Sequence, residues 1–246
     1  MTVDRLHVLG VPVDAVTASG ALDIIAGYVQ AGQPRQIVTV NPEFVMAAQA
    51  NEPFREVLKR AALALPDGIG VLWAARVAGR VLPERVSGSD LVPSIAARAA
   101  AEGWRVFFLG AAAGVAQEAA IRLRSRHAGL QVAGTHAGSP GVAEEAEIVE
   151  LVRAAKPHVL LVAYGAPAQD LWISRNLLRL GVPVAMGVGG TFDFIAGVRK
   201  RAPLWVQRMR LEWFYRLLME PWRWRRQLAL PRFTAAVLAE WFRGEQ

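Results

Sequence analysis

The chain has 246 residues, 53% apolar and 20% charged, with a formal net charge of +7 and no cysteine. That length suits one large domain, or one domain with an appendage, and the composition fits a folded α/β body rather than a disordered chain. Disulfides and thiolate metal sites are excluded, and His7, His127, His136 and His158 show no ligand spacing either. The first residues carry Asp4 and Asp14 and lack the basic-then-apolar order of a signal peptide. No window of about 18 residues is apolar enough to span a bilayer. The expected location is the cytoplasm, with any membrane contact peripheral.

In chain order, residues 8–14 predict an edge strand containing a proline, and residues 19–32 a helix with a glycine at its end. Residues 36–40 (QIVTV) predict a short β-branched strand ending at Asn41-Pro42. A helix broken at Pro53 follows, then a strand over ALALP that ends in the turn Pro66-Asp67-Gly68. Ser87-Gly88-Ser89-Asp90 supplies N-cap chemistry for the next helix. From Trp104 onward, the apolar runs RVFFLG, LQVAG, HVLLVAYG and VPVAMGVGG alternate with helical segments. That alternation predicts a Rossmann-like α/β fold, a parallel sheet flanked by helices, over residues 1–198.

Residues 199–246 differ in kind. They hold eleven Lys/Arg and four Asp/Glu, whereas residues 1–198 hold seventeen of each sign, so the whole net charge sits in this segment. Five of the eight tryptophans are there as well: Trp205, Trp213, Trp222, Trp224 and Trp241. The pattern predicts helices broken at Pro203, Pro221 and Pro231. Their apolar faces are Leu211, Phe214/Tyr215 and Leu218, and Leu230, Phe233, Val237/Leu238 and Trp241. A basic, Trp-rich helical appendage suits a membrane surface. Docking of the same faces on the body accounts for the periodicity equally well. Under the surface reading, residues 1–198 fold without the appendage.

In open parallel sheets ligands bind beyond the carboxyl ends of the strands. The groups expected there are Thr39 and Asn41, Asp67, Gly110, Gly165 with Gln169, and Gly187, Gly189 and Gly190 with Asp193. Glycine permits close backbone approach, although Gly110 also suits an ordinary strand–helix turn. Asp67 fits two roles: a turn former bonding its own backbone, or a base deprotonating an alcohol beside Thr39 and Asn41. Arg85, just before the N-cap cluster, is the body arginine placed to meet a phosphate, or else it is a solvated surface side chain.

Seven blocks occur in an order that resembles the WecG/TagA/CpsF glycosyltransferases. They are Thr39-Val-Asn41-Pro-Glu43, Pro66-Asp67-Gly68, Arg85-Val-Ser-Gly88-Ser-Asp90, Phe108-Leu-Gly110, Gly165-Ala-Pro167-Ala-Gln169 and Val188-Gly-Gly190-Thr-Phe192-Asp193, and a C-terminal signature from Arg201-Ala-Pro203 to Arg226. The resemblance implies an inverting, metal-independent transferase. It would move a sugar such as N-acetylmannosamine from a UDP donor to a polyprenyl-diphosphate-linked N-acetylglucosamine in surface-polysaccharide or teichoic acid synthesis. On the same basis Asp67 is the expected catalytic base, and Thr39, Asn41, Arg85 and Gln169 line the pocket. Arg216, Arg223 and Arg226 are expected to reach the diphosphate from a membrane-docked appendage, with UDP-sugar as substrate and no cofactor. Asp170 departs from the glutamate expected after Gln169.

Three other readings remain. A single-stranded nucleic-acid module would use the basic aromatic tail, but no nucleic-acid motif accompanies it. A Rossmann oxidoreductase lacks its G-x-G-x-x-G. A non-catalytic, membrane-docked UDP-sugar scaffold is opposed by the retention of Asp67 and the arginines. Self-association away from a membrane is open.

Overall fold

The computed structural model describes residues 3–200, 202–203, 206, 209, 215, 219 and 228–244. Its first element is a hairpin, β1 (Arg5–Val8) and β2 (Val11–Asp14), paired antiparallel and separate from the main sheet. The single edge strand expected over residues 8–14 is therefore corrected. Leu9 (φ 50°) and Gly10 (φ 77°) both adopt left-handed backbone, as a two-residue turn between twisted strands requires. Asp14 anchors the hairpin beside the sheet. Its buried carboxylate accepts from Arg5 Nε (2.7 Å) and from the Ala64 amide (2.7 Å).

The chain continues as α1 (Ala18–Ala31), β3 (Arg35–Val40), α2 (Pro42–Ala50), α3 (Glu52–Arg60), β4 (Leu63–Pro66), α4 (Ile69–Val77) and α5 (Gly88–Glu102). Then come β5 (Arg105–Gly110), α6 (Val115–Arg126), β6 (Gln131–His136), α7 (Val142–Ala155), β7 (Val159–Ala163), α8 (Ala168–Leu180), β8 (Val184–Gly187) and α9 (Thr191–Ile195). The last described helix, α10, is Ala229–Gly244.

Strands β3 to β8 form one six-stranded parallel sheet in the order β4-β3-β8-β7-β5-β6. Strands β3 and β4 build outward in one direction and β5 and β6 in the other, with β8 and β7 between them. The crevice of an open α/β sheet lies at such a reversal. The expected Rossmann-like architecture is present, and the strands alternate between its two faces. Ile37, Leu63, Leu65, Phe108, Leu161 and Met186 pack with α1, α5, α6 and α9. Val38, Val40, Ala64, Leu109, Val162 and Ala185 face the other layer, built from α2, α3, α4, α7, α8 and α10. Both faces are covered, which is why these strands read as continuous apolar runs rather than alternating ones.

Two expected helix breaks lie elsewhere. The break near Pro53 is at Asn51, which ends α2 and caps α3 by accepting from the Phe54 amide (3.0 Å). Pro53 sits in the first turn of α3, and Pro231 likewise lies in the first turn of α10 instead of interrupting it. Proline lacks an N–H that this turn leaves unbonded anyway.

Helix α10 packs on α2 and α4. Phe233 is 1% exposed and Val237 5%, and both belong to the cluster holding Val40, Phe44 and Val71. Of the two faces predicted in the tail, this one docks on the body, except that Trp241 and neighbouring Phe242 remain exposed. Leu211, Phe214 and Leu218 of the other face, and Trp205, Trp213, Trp222 and Trp224, lie outside the described residues. No helix among the described residues is long and apolar enough to cross a membrane.

Candidate active site

The carboxyl ends of β3, β4, β7 and β8 meet in a cleft of about 910 Å³. Backbone bonds draw these ends together. The Asp67 amide donates to Val40 (2.8 Å), the Val86 amide to Pro66 (2.7 Å) and the Val188 amide to Val162 (2.8 Å). The first two bonds set Asp67 beside the end of β3 and bring the Arg85 segment against the end of β4. Thr39, Asn41, Asp67, Arg85, Gln169, Gly190 and Asp193 all line this one space, although they span 155 positions of sequence.

The lining residues divide by what their polar atoms already do. Asn41 Oδ1 caps α2 by accepting from the Phe44 amide (2.9 Å), which leaves the Nδ2 amide as the group able to meet a ligand. Arg85 Nη2 donates to Asp90 Oδ2 (3.2 Å), and Ser87 Oγ donates to the same oxygen (2.7 Å). Ser87 also accepts from the Asp90 amide at the start of α5. The N-cap cluster therefore holds Arg85 as well as opening the helix. Gln169 is buried, and its Oε1 accepts from the amides of Gly165 (3.2 Å) and Gly189 (2.9 Å). It straps the loops after β7 and β8 to each other.

Gly110 is placed differently from the other candidates. It ends β5 with φ 98°, and a Cβ there would lie 2.8 Å from the Ala163 carbonyl carbon. Close packing against β7 requires the glycine, and the cleft is lined by Ala111 and Ala112 just beyond it. Asp170 also stands behind the lining. It is fully buried, and among the described residues neither carboxyl oxygen meets a donor in good hydrogen-bond geometry. Burial lifts its pKa to about 7, against a smaller opposing pull from the Gln169 amide. Oδ1 lies only 2.6 Å from where a Cβ on Gly187 would project, so the carboxyl packs directly on the β8 backbone.

Sequence reasoning missed several lining residues. Arg199 follows α9 and is ion-paired with Asp193 (3.4 Å), while Tyr164 carries a phenol that burial pushes upward in pKa and that has no hydrogen-bond partner among the described residues. Glu43 and Leu230 line the cleft too, the latter from α10. Glu43 was visible inside the first motif block. Arg199 was hidden within a basic run, and Leu230 became a cleft residue only because α10 docks. Arg216, Arg223 and Arg226 lie outside the described residues. Among those described, no group of three or more His, Asp or Glu is arranged to hold a metal ion.

A cleft with one carboxylate at a strand end, neutral polar groups beside it and two arginines held by aspartates suits transfer to a hydroxyl with departure of an anion. Relatives carry the same implication. A protein of Bacillus spizizenii strain W23 named N-acetylglucosaminyldiphosphoundecaprenol N-acetyl-beta-D-mannosaminyltransferase is 37% identical over 226 residues, covering 92% of this chain and 87% of the relative. Proteins of the same name from Bacillus subtilis strain 168 and Staphylococcus aureus strain MW2 are 35% and 30% identical. These alignments cover 83% and 95% of this chain, and 79% and 92% of the respective relatives. The model of the glycosyl transferase WecG/TagA/CpsF family matches residues 6–246. The chain belongs to this family and is a glycosyltransferase.

Proposed function

We propose that the protein transfers N-acetylmannosamine, or a closely related hexose, from a UDP donor to N-acetylglucosamine carried on a polyprenyl diphosphate. The step belongs to surface-polysaccharide or teichoic acid synthesis. The observation that carries this reading is the placement of Asp67 with Thr39, Asn41 and Arg85 in a single cleft. The names of the relatives supply the acceptor and the sugar.

In this mechanism Asp67 takes the proton from the acceptor hydroxyl as its oxygen bonds to the anomeric carbon. The bond from that carbon to the donor phosphate oxygen breaks at the same time, and UDP leaves with the electron pair. A single displacement of this kind inverts the anomeric centre. The Asn41 amide and Thr39 hydroxyl orient sugar hydroxyls. Negative charge developing on the departing diphosphate is met by arginine, whose planar fork suits phosphate oxygens, and no metal takes part. Arg85 supplies this from the body, and Arg216, Arg223 and Arg226 supply it from the C-terminal segment.

We further propose that residues 199–246 seat the protein on the cytoplasmic face of a membrane, where the lipid-linked acceptor resides. Exposed Met209, Met219, Leu228, Trp241 and Phe242, in a segment with eleven Lys/Arg, support that role. The test is a panel of UDP-sugars offered with a short-chain lipid-diphosphate N-acetylglucosamine in chelator-treated buffer. UDP-N-acetylmannosamine should yield a β-linked disaccharide product. No product from any UDP-sugar, or product only after metal is restored, would overturn the scheme.

A further inference from the structure

Asp193 holds Arg199 in two ways. The guanidinium Nε lies 3.4 Å from Asp193 Oδ2, and the Arg199 amide donates to the Asp193 carbonyl (3.1 Å). One aspartate therefore fixes both the main chain and the side chain of residue 199 at the rim of the cleft. With the Arg199 side chain about half open to solvent, an ion pair of this kind adds little to stability. Fold stability alone is thus a weak reason to place an aspartate over the Gly190 turn. A Cβ on Gly190 would lie 3.6 Å from Asp193 Oδ2.

Gly165 and Gly189 line the same cleft. At both a Cβ would project into open space, so the main chain is open to the cleft at those two positions. A ligand can approach that backbone closely, and Arg199 is the cleft-lining cation that follows β8 in the chain. The same cleft holds a second such arrangement built from different elements. Arg85, held by Asp90, stands at the start of α5, which meets the start of α9. A Cβ on Gly88 would be 3.7 Å from Thr191 Oγ1. Two arginines oriented by aspartates and carried on different elements of one cleft, with main chain open at Gly165 and Gly189, match an extended dianion better than they match a neutral sugar.

We propose that Arg199 binds the diphosphate of the nucleotide donor and that Asp193 is its positioning residue rather than a substrate contact. The assignment rests on the reading of the cleft as a UDP-sugar site. It gives the cleft a second phosphate-binding arginine beside Arg85, separate from Arg216, Arg223 and Arg226.

The experiment titrates UDP and uridine separately into the full-length protein and its Arg199→Ala, Arg199→Lys and Asp193→Asn variants, with weak uridine binding followed by ligand-observed NMR. Arg199→Ala should weaken UDP about tenfold, as loss of one charge-assisted contact does, and leave uridine within about twofold. Arg199→Lys should recover part of the loss. Asp193→Asn should weaken UDP several-fold, spare uridine, and add nothing in the Arg199→Ala background. Unchanged UDP affinity in Arg199→Ala, or equal losses of UDP and uridine, would overturn the assignment. An undiminished Asp193→Asn effect in that background would show that Asp193 touches the ligand itself. Failure of the wild type to bind either ligand would instead sink the donor reading on which the assignment rests.

Discussion

The cleft and the seam where α10 meets α2 and α4 are neighbours with opposite characters. Leu230 lines the cleft, and one helical turn later Phe233 is buried in the core. The candidate residues of the cleft are polar, with Asn41 and Gln169 hydrogen-bonded to backbone, whereas the seam residues Phe233 and Val237 are apolar and nearly dry. The seam is also tight: a Cβ on Gly70 would lie 2.6 Å from the Pro42 ring and 3.7 Å from Phe233. The difference separates two kinds of importance within a few ångströms. Changes in the cleft should cost chemistry and leave the fold intact, and changes in the seam should cost the fold.

The largest expected effect tests the cleft side. Asp67→Asn should lower transfer roughly a hundred- to ten-thousand-fold, the range a general base supplies, while leaving the unfolding midpoint unchanged. Turnover measured on saturating substrates near the wild-type rate would remove Asp67 from the mechanism. On the seam side, Phe233→Ala should cost about 3–5 kcal/mol in denaturant unfolding, as fully buried aromatic truncations do. A cost below about 1 kcal/mol would mean that α10 is an appendage after all. Removing residues 199–246 would take Phe233 and Val237 out of the cluster that holds Phe44 and Val71, so the folding of residues 1–198 on their own measures what the seam contributes.

Asp170 sharpens the comparison from between the two regions. Its carboxyl has a folded pKa of about 7, above its ordinary value of 3.8, so between these values the folded state binds more protons than the unfolded one. The sign follows directly: stability falls as pH rises from about 4 to about 7 and levels off above. Asp170→Asn removes that slope. Its stability relative to wild type should gain on the order of 2 kcal/mol between pH 5 and pH 8 in parallel urea titrations. A constant difference across that range would mean the carboxyl is ionised throughout. The smallest effect belongs to the exposed end of α10. Trp241→Ala should change stability by no more than about 0.5 kcal/mol yet weaken sedimentation with anionic vesicles. Unaltered sedimentation would take Trp241 out of the membrane contact.

Much of this was legible in the chain itself. The strands of the main sheet, the glycine-ended helix α1 and the Ser87 cap all follow from periodicity and local capping. The strand-end residues Thr39, Asn41, Asp67 and Gln169 do converge. The hairpin was not legible as such, because the alternation of Arg5–Val8 is only four residues long and Leu9 is an unusual residue for a left-handed turn position. Pro53 and Pro231 misled for one reason: proline breaks a helix in its interior and is tolerated in its first turn, and sequence alone did not place the first turn.

What the sequence determined by itself was therefore the element order, the apolar faces and the set of polar groups delivered to strand ends. These depend on residues near one another in the chain. Tertiary structure decided how those groups are used. Gln169 spends its oxygen strapping two loops, Asn41 spends its oxygen on a cap, Gly110 serves packing against β7, and Arg199 becomes a cleft residue held by Asp193. It also decided that Phe233 belongs to the core. An amphipathic face specifies that something must cover it, but the covering partner is set by the shape and exposed area of the rest of the fold, and periodicity carries no record of either.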